Sequence, residues 1–139
     1  MSIGGGGAMG GGRTFVDATG TPVPLRGPIR TVVATDAAVG ALLRQLGAEV
    51  VGCAGDLDGV ASVGAERTPD ASVVAELRPN AIVTGTVERR HDLAVPVAPL
   101  RAIAPVIAVD LTRAGIAAAE LRALIGTVAP PGSPARRRA

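Results

Sequence analysis

The chain has 139 residues, a net charge of +2 and no run of apolar residues long enough to span a membrane. Its aromatic content is one phenylalanine, Phe15, so it has no stacking platforms for nucleic-acid bases, and the near-neutral balance argues against nucleic acid as a partner. All 14 basic residues are arginine, and three of them, Arg136, Arg137 and Arg138, close the chain. The single cysteine, Cys53, excludes an intrachain disulfide and a Cys-rich zinc site.

The glycine-rich stretch 1–12 reads as a disordered leader. It lacks the G-K-[ST] ending, the preceding strand and the following helix that a phosphate loop requires. It also lacks the basic and apolar regions of a signal peptide. Phe15 to Leu25 reads as two short extended pieces around a turn at Thr19-Gly20. Thr31 to Ala34 has the apolar run of a buried strand. Asp36 suits a helix N-cap, Val39, Leu42, Leu43 and Leu46 recur at helical spacing, and Gly47 stops that helix. Glu49 to Cys53 is a second strand, and Ala54 to Arg67 reads as a loop.

Asp70 caps a short helix over 71–77, and a strand follows from Ala81 to Thr84. Gly85 to Asp92 is a polar loop. Pro96 and Pro99 confine the next helix to the later part of 93–103. Val106 to Val109 is a strand, and Arg113 to Ile125 is a helix stopped by Gly126. The tail 127–139 reads as disordered. The alternation predicts an α/β fold: a parallel, Rossmann-like sheet with helices on both faces, in one domain over 13–126.

Candidate chemistry is sparse. Cys53 reads as a buried small hydrophobe and has no neighbouring base in sequence. His91 alone is too few ligands for a metal. There is no nucleophile elbow and no paired-carboxylate motif, so catalysis and a resident cofactor are not expected. Open parallel sheets bind ligands beyond the carboxyl ends of their strands. That rule selects Thr35 and Asp36, then Ala54, Gly55 and Asp56, then Thr86, Glu88, Arg89, Arg90 and His91. Arg89 and Arg90 suit an anionic ligand, and Thr35 and Thr86 suit hydrogen-bond donation.

Four segments, in order over about residues 14–112, carry a family resemblance. FVDATGTPVPL fits a D-x-x-G-x-x-V-x-L ribbon. TDAAVGALLRQLGAEVVGCAG fits a helix-to-strand element with its L-G and V-G pairs. SVGAERTPDASVVAELRPNAIVTG fits V-G-x-x-x-x-P-N-L-E-x-I-x-x-L-K-P-D-L-V-I, and LRAIAPVIAVDL fits the closing strand element. Together they resemble the periplasmic iron-siderophore and vitamin-B12-binding proteins, the solute-binding components of ABC importers. The resemblance implies a ligand held between two lobes on a backbone helix, with this chain equivalent to the N-terminal lobe and 113–125 the start of that helix.

The implied ligand is a ferric siderophore or a cobalamin-like molecule, and the implied partner is an ABC permease. Ser72 stands where the family has the glutamate that docks on permease arginines, and Asn80 stands where it has aspartate. The resemblance implies an extracytoplasmic location, whereas the chain as it begins reads as cytoplasmic. A lone lobe also admits a homodimer or a separate second-lobe chain as partner. The alternatives are a non-binding remnant or interaction module, and a small flavodoxin-like nucleotide-binding domain or enzyme.

Overall fold

Alternate side chains along the central strands feed two separate cores, and that alternation organises the molecule. The computed structural model describes residues 13–25, 29–86 and 97–128. β3 (Thr31–Ala34), β4 (Glu49–Ala54), β7 (Ala81–Gly85) and β8 (Val106–Val109) are parallel. Val32, Ala34, Ala81, Val83, Ile107 and Val109 face one core, while Val33, Ile82 and Val106 face the other. Strands covered on both faces are apolar at nearly every position, and β3, β7 and β8 follow that pattern except at Thr31 and at Thr84, whose buried hydroxyl is hydrogen-bonded.

Helices close each face. α1 (Ala37–Gln45) and α4 (Ala114–Val128) cover the first core with Val39, Leu43, Ala117, Leu121 and Leu124. α2 (Ala71–Leu77) and α3 (Ala98–Arg101) cover the second with Val74 and Leu100. Burying each such aliphatic side chain contributes about 1.5–3 kcal/mol. The expected α/β architecture, with helices on both faces of a mostly parallel sheet, is therefore observed.

The six-stranded sheet has the order β6-β5-β4-β3-β7-β8. A separate hairpin, β1 (Arg13–Val16) with β2 (Pro22–Leu25), turns at Gly20, whose φ is +82°. Asp17, just inside that turn, is bonded to the outer edge of β8 through the Ala108 backbone.

Three boundaries differ from the sequence reading. Residues 54–67 are not simply a loop: β5 (Ser62–Ala65) runs parallel to β4, and β6 (Thr68–Pro69) returns antiparallel to it. Their apolar signal is one residue, Val63, too little for periodicity to register. Gly126 does not stop α4, which continues to Val128, because a glycine inside a helix costs only about 1 kcal/mol relative to alanine. α4 is also preceded by a 3-10 turn, Leu111–Arg113, capped by the Asp110 carboxylate.

Both predicted aspartate caps are present. Asp36 Oδ1 accepts from Val39 N at 2.8 Å, and Asp70 Oδ1 accepts from Ser72 N at 2.9 Å. Asn80 ties the starts of β3 and β7 together, its Oδ1 accepting from Arg30 N and Thr31 N at 2.9 and 3.0 Å. The amide oxygen thus accepts the two N–H groups that a carboxylate oxygen at this position would take.

Candidate functional site

After β3 the chain crosses to β4 on one side, and it later reaches β7 on the other. The carboxyl ends of β3 and β7 therefore flank a topological switch point, the place where open α/β sheets form a crevice. Four described segments converge on it: Thr35-Asp36 after β3, Gly55-Asp56 after β4, the β5–β6 turn, and Thr86 after β7.

Thr35 is fully buried, and its hydroxyl donates to Thr84 Oγ1 at 2.8 Å. This differs from the expected ligand donor: the hydroxyl stitches β3 to β7 beneath the crevice. Asp36 is 5% exposed and holds the start of α1. Ala54 lies at the end of β4 with its side chain in the second core, so it offers the crevice no side chain. Gly55, at φ +112°, donates its N–H to Gly64 O at 3.0 Å, while Asp56 is exposed. Thr86 donates its N–H to Val109 O at 3.0 Å. Its Oγ1 is the one buried side-chain polar atom among the described residues without a hydrogen-bond partner. Glu88, Arg89, Arg90 and His91 lie outside the described residues.

Sequence reasoning missed Arg67. It sits in the β5–β6 turn at φ +61°, and its N–H donates to Thr35 O at 2.9 Å. The hairpin thereby folds over the end of the central strand. The Arg67 guanidinium is exposed and pairs with no described carboxylate. A left-handed non-glycine residue is uncommon, and the contact that accompanies this one joins distant parts of the chain.

Cys53 lies fully buried beneath this surface. Burial pushes its thiol above the ordinary value, and Asp36 and Glu66 push the same way. A thiol held protonated is a poor nucleophile at neutral pH. Among the described residues no group of three His, Cys, Asp or Glu side chains is placed to hold a metal ion.

A cavity of about 840 Å³ lies elsewhere. It opens at the opposite end of the sheet, between β2 and the start of β8, and is lined by Val23, Leu25, Ile29, Ile103 and Val106, with Arg101 at its edge. Its walls are largely aliphatic and it collects few convergent polar groups, so the strand-end crevice is the better candidate for a charged or chelating ligand.

At the start of α2, Ser72 is exposed and donates its hydroxyl to Asp70 Oδ1 at 2.7 Å. That bond, with the Ser72 backbone N–H, lowers the Asp70 carboxyl below the ordinary 3.8. A lowered folded-state value means the carboxylate stabilises the fold above the unfolded value, and the stabilisation is lost as pH falls through the folded one. Ser72→Ala is expected to move the Asp70 titration up toward 3.8, as read by carboxyl chemical shifts in an NMR pH series. An unmoved titration would show that the hydroxyl contact does not form in solution.

No protein-family model matches the chain, and no curated protein matches it. Solved structures do. The chain aligns with DesE, a ferric-siderophore receptor protein from Streptomyces coelicolor, at 26% identity and a TM-score of 0.64, over 90% of this chain and 50% of that one. SirA of Staphylococcus aureus, solved with staphyloferrin B, aligns at 21% identity and 0.63, over 81% and 41%. PiuA, an iron-uptake ABC transporter substrate-binding protein from Streptococcus pneumoniae, aligns at 20% and 0.64, over 83% and 44%. The chain spans about half the length of these structures, or less. Over that span its fold is similar to that of the siderophore-binding, solute-binding proteins of ABC importers.

Proposed function

We propose that this chain is a solute-binding lobe for a ferric siderophore, equivalent to the first of the two lobes of an ABC-importer binding protein, and that it works by binding rather than catalysis. The observation that carries the reading is the crevice at the ends of β3 and β7, where Thr86 Oγ1 lacks a partner among the described residues and the backbone of Arg67, an exposed residue, is bonded to Thr35 O. A guanidinium fork suits the oxygen-rich, anionic periphery of a ferric chelate. Arg89 and Arg90 add to that field in this reading, and Thr86 supplies the hydroxyl. The fold likeness to DesE, SirA and PiuA supports the ligand class. The reading places the chain outside the cytoplasm. Ser72, held to Asp70, lacks the charge that would engage permease arginines, so permease docking is weaker than with glutamate there.

A second reading is an interaction module: the fold matches one part of DesE, SirA and PiuA, and the lobe would then act by pairing with a complementary lobe rather than by holding a ligand itself.

The test is a set of far-UV circular dichroism melts with ferric hydroxamate and ferric catecholate siderophores, cobalamin and haem. A ligand bound only by the native state raises the midpoint by mass action. One ferric siderophore class is expected to raise it, and Arg67→Ala to weaken that binding about tenfold. A cooperative melt that none of the ligands moves would sink the binding reading and favour the interaction module. A shift by cobalamin alone would replace the siderophore.

A further inference from the structure

Ile116, on the first turn of α4, is 54% exposed, one of two large apolar side chains so exposed among the described residues. It borders a hollow of about 270 Å³ whose other walls are Ala18, Asp110, Arg113, Ala117 and Glu120. Asp110 is engaged in capping Thr112 N at 3.0 Å. Arg113 and Glu120 make no side-chain hydrogen bond or ion pair among the described residues. Arg113 ends the 3-10 turn that leads into α4 and Glu120 lies on α4, and these opposite charges border the same hollow.

The midpoint between Arg113 and Glu120 falls at Ile116 and Ala117. A two-fold axis there, crossing two copies of α4 antiparallel, brings Arg113 of each copy beside Glu120 of the other. It also brings the two Ile116 side chains together next to hollows floored by Ala117. The exposed neighbours Gly115 and Ala119 are small, and a Cβ added at Gly115 would meet nothing within 4 Å, so the helices can approach closely. A patch that complements itself under a two-fold rotation is the requirement for an isologous dimer.

We propose that the start of α4 is a homodimer surface, with a second copy of this chain as its occupant, centred on Ile116 and oriented by reciprocal Arg113–Glu120 pairs. It does not depend on the identity of the ligand.

Sedimentation velocity of the full chain across a concentration series tests it, with circular dichroism confirming that each variant folds. The wild type is expected to show a reversible monomer–dimer equilibrium that weakens with salt. Ile116→Asp is expected to leave only monomer. Arg113→Glu sets like charges against each other and is expected to weaken association at least about tenfold. The swap Arg113→Glu/Glu120→Arg is expected to restore it. A wild type that sediments as a monomer at every concentration would overturn the surface. So would association that Ile116→Asp leaves intact, or a charge swap that fails to recover what Arg113→Glu loses.

Discussion

Gly64→Ala is expected to destabilise the fold by about 3 kcal/mol, a large part of the stability of a domain this size. Gly64 has φ +142°, a conformation that side chains rarely adopt. A Cβ there would also stand within 2.4 Å of Thr68 O and 3.3 Å of Asp70 N. Both are backbone atoms, one in the opposing strand and one in the residue that follows it, so relief requires the β5–β6 hairpin to open. Three bonds depend on that hairpin: Gly55 N to Gly64 O, Asp70 N to Val63 O, and Arg67 N to Thr35 O. The last holds Arg67 over the crevice, so the same substitution is expected to weaken any ligand binding there.

Gly20→Ala is the control. Gly20 also has a positive φ, +82°, but a Cβ there meets nothing within 4 Å, so only backbone strain of about 1 kcal/mol remains. Urea denaturation followed by circular dichroism separates the two. Equal losses at both sites would show that the contact with Thr68 O relaxes freely and that the hairpin is not held as described.

The parts of this molecule legible in sequence are those determined by neighbours. β3, β7 and β8 announce themselves because strands covered on both faces are apolar at nearly every position. Asp36 and Asp70 announce themselves because an N-cap reaches only two or three residues ahead. What stayed hidden depends on distant partners. Nothing local says that the Thr35 hydroxyl is taken by Thr84, 49 positions away. Nothing local says that the turn at Arg67 closes over Thr35, or that Gly64 is required by a carbonyl across a two-residue strand. Topology alone therefore points to the strand ends as the candidate site, while the burial and bonding of individual residues there depend on partners far away in sequence. Thr35 and Ala54 prove to be interior, and Arg67 proves to be at the surface.

Asp17→Ala is expected to cost about 3 kcal/mol and to loosen the edge of the sheet, because one carboxylate serves two structures. Asp17 is 7% exposed. Its Oδ1 accepts from Thr19 N at 2.9 Å, Thr19 Oγ1 at 2.6 Å and Thr21 N at 3.1 Å, which forms the hairpin turn. Its Oδ2 accepts from Ala108 N at 3.1 Å, and Ala18 N donates to Ala108 O at 3.1 Å. These two bonds occupy outward-facing backbone groups of β8, the last strand of the sheet. Removing the carboxylate leaves the Ala108 N–H buried without an acceptor, and a buried unsatisfied donor costs about 1–3 kcal/mol by itself.

Asp17→Asn separates the two roles. Its carbonyl oxygen can still accept the three turn bonds, but its amide would face the Ala108 N–H, donor against donor. The loss should be about 1–2 kcal/mol, confined to the β8 contact. Urea denaturation gives the totals, and hydrogen exchange at Ala108 locates them. Exchange at Ala108 is expected to accelerate in both variants, while the turn amides of Thr19 and Thr21 accelerate only in Asp17→Ala. If the Ala108 amide keeps its protection in Asp17→Ala, the hairpin is not what closes this edge.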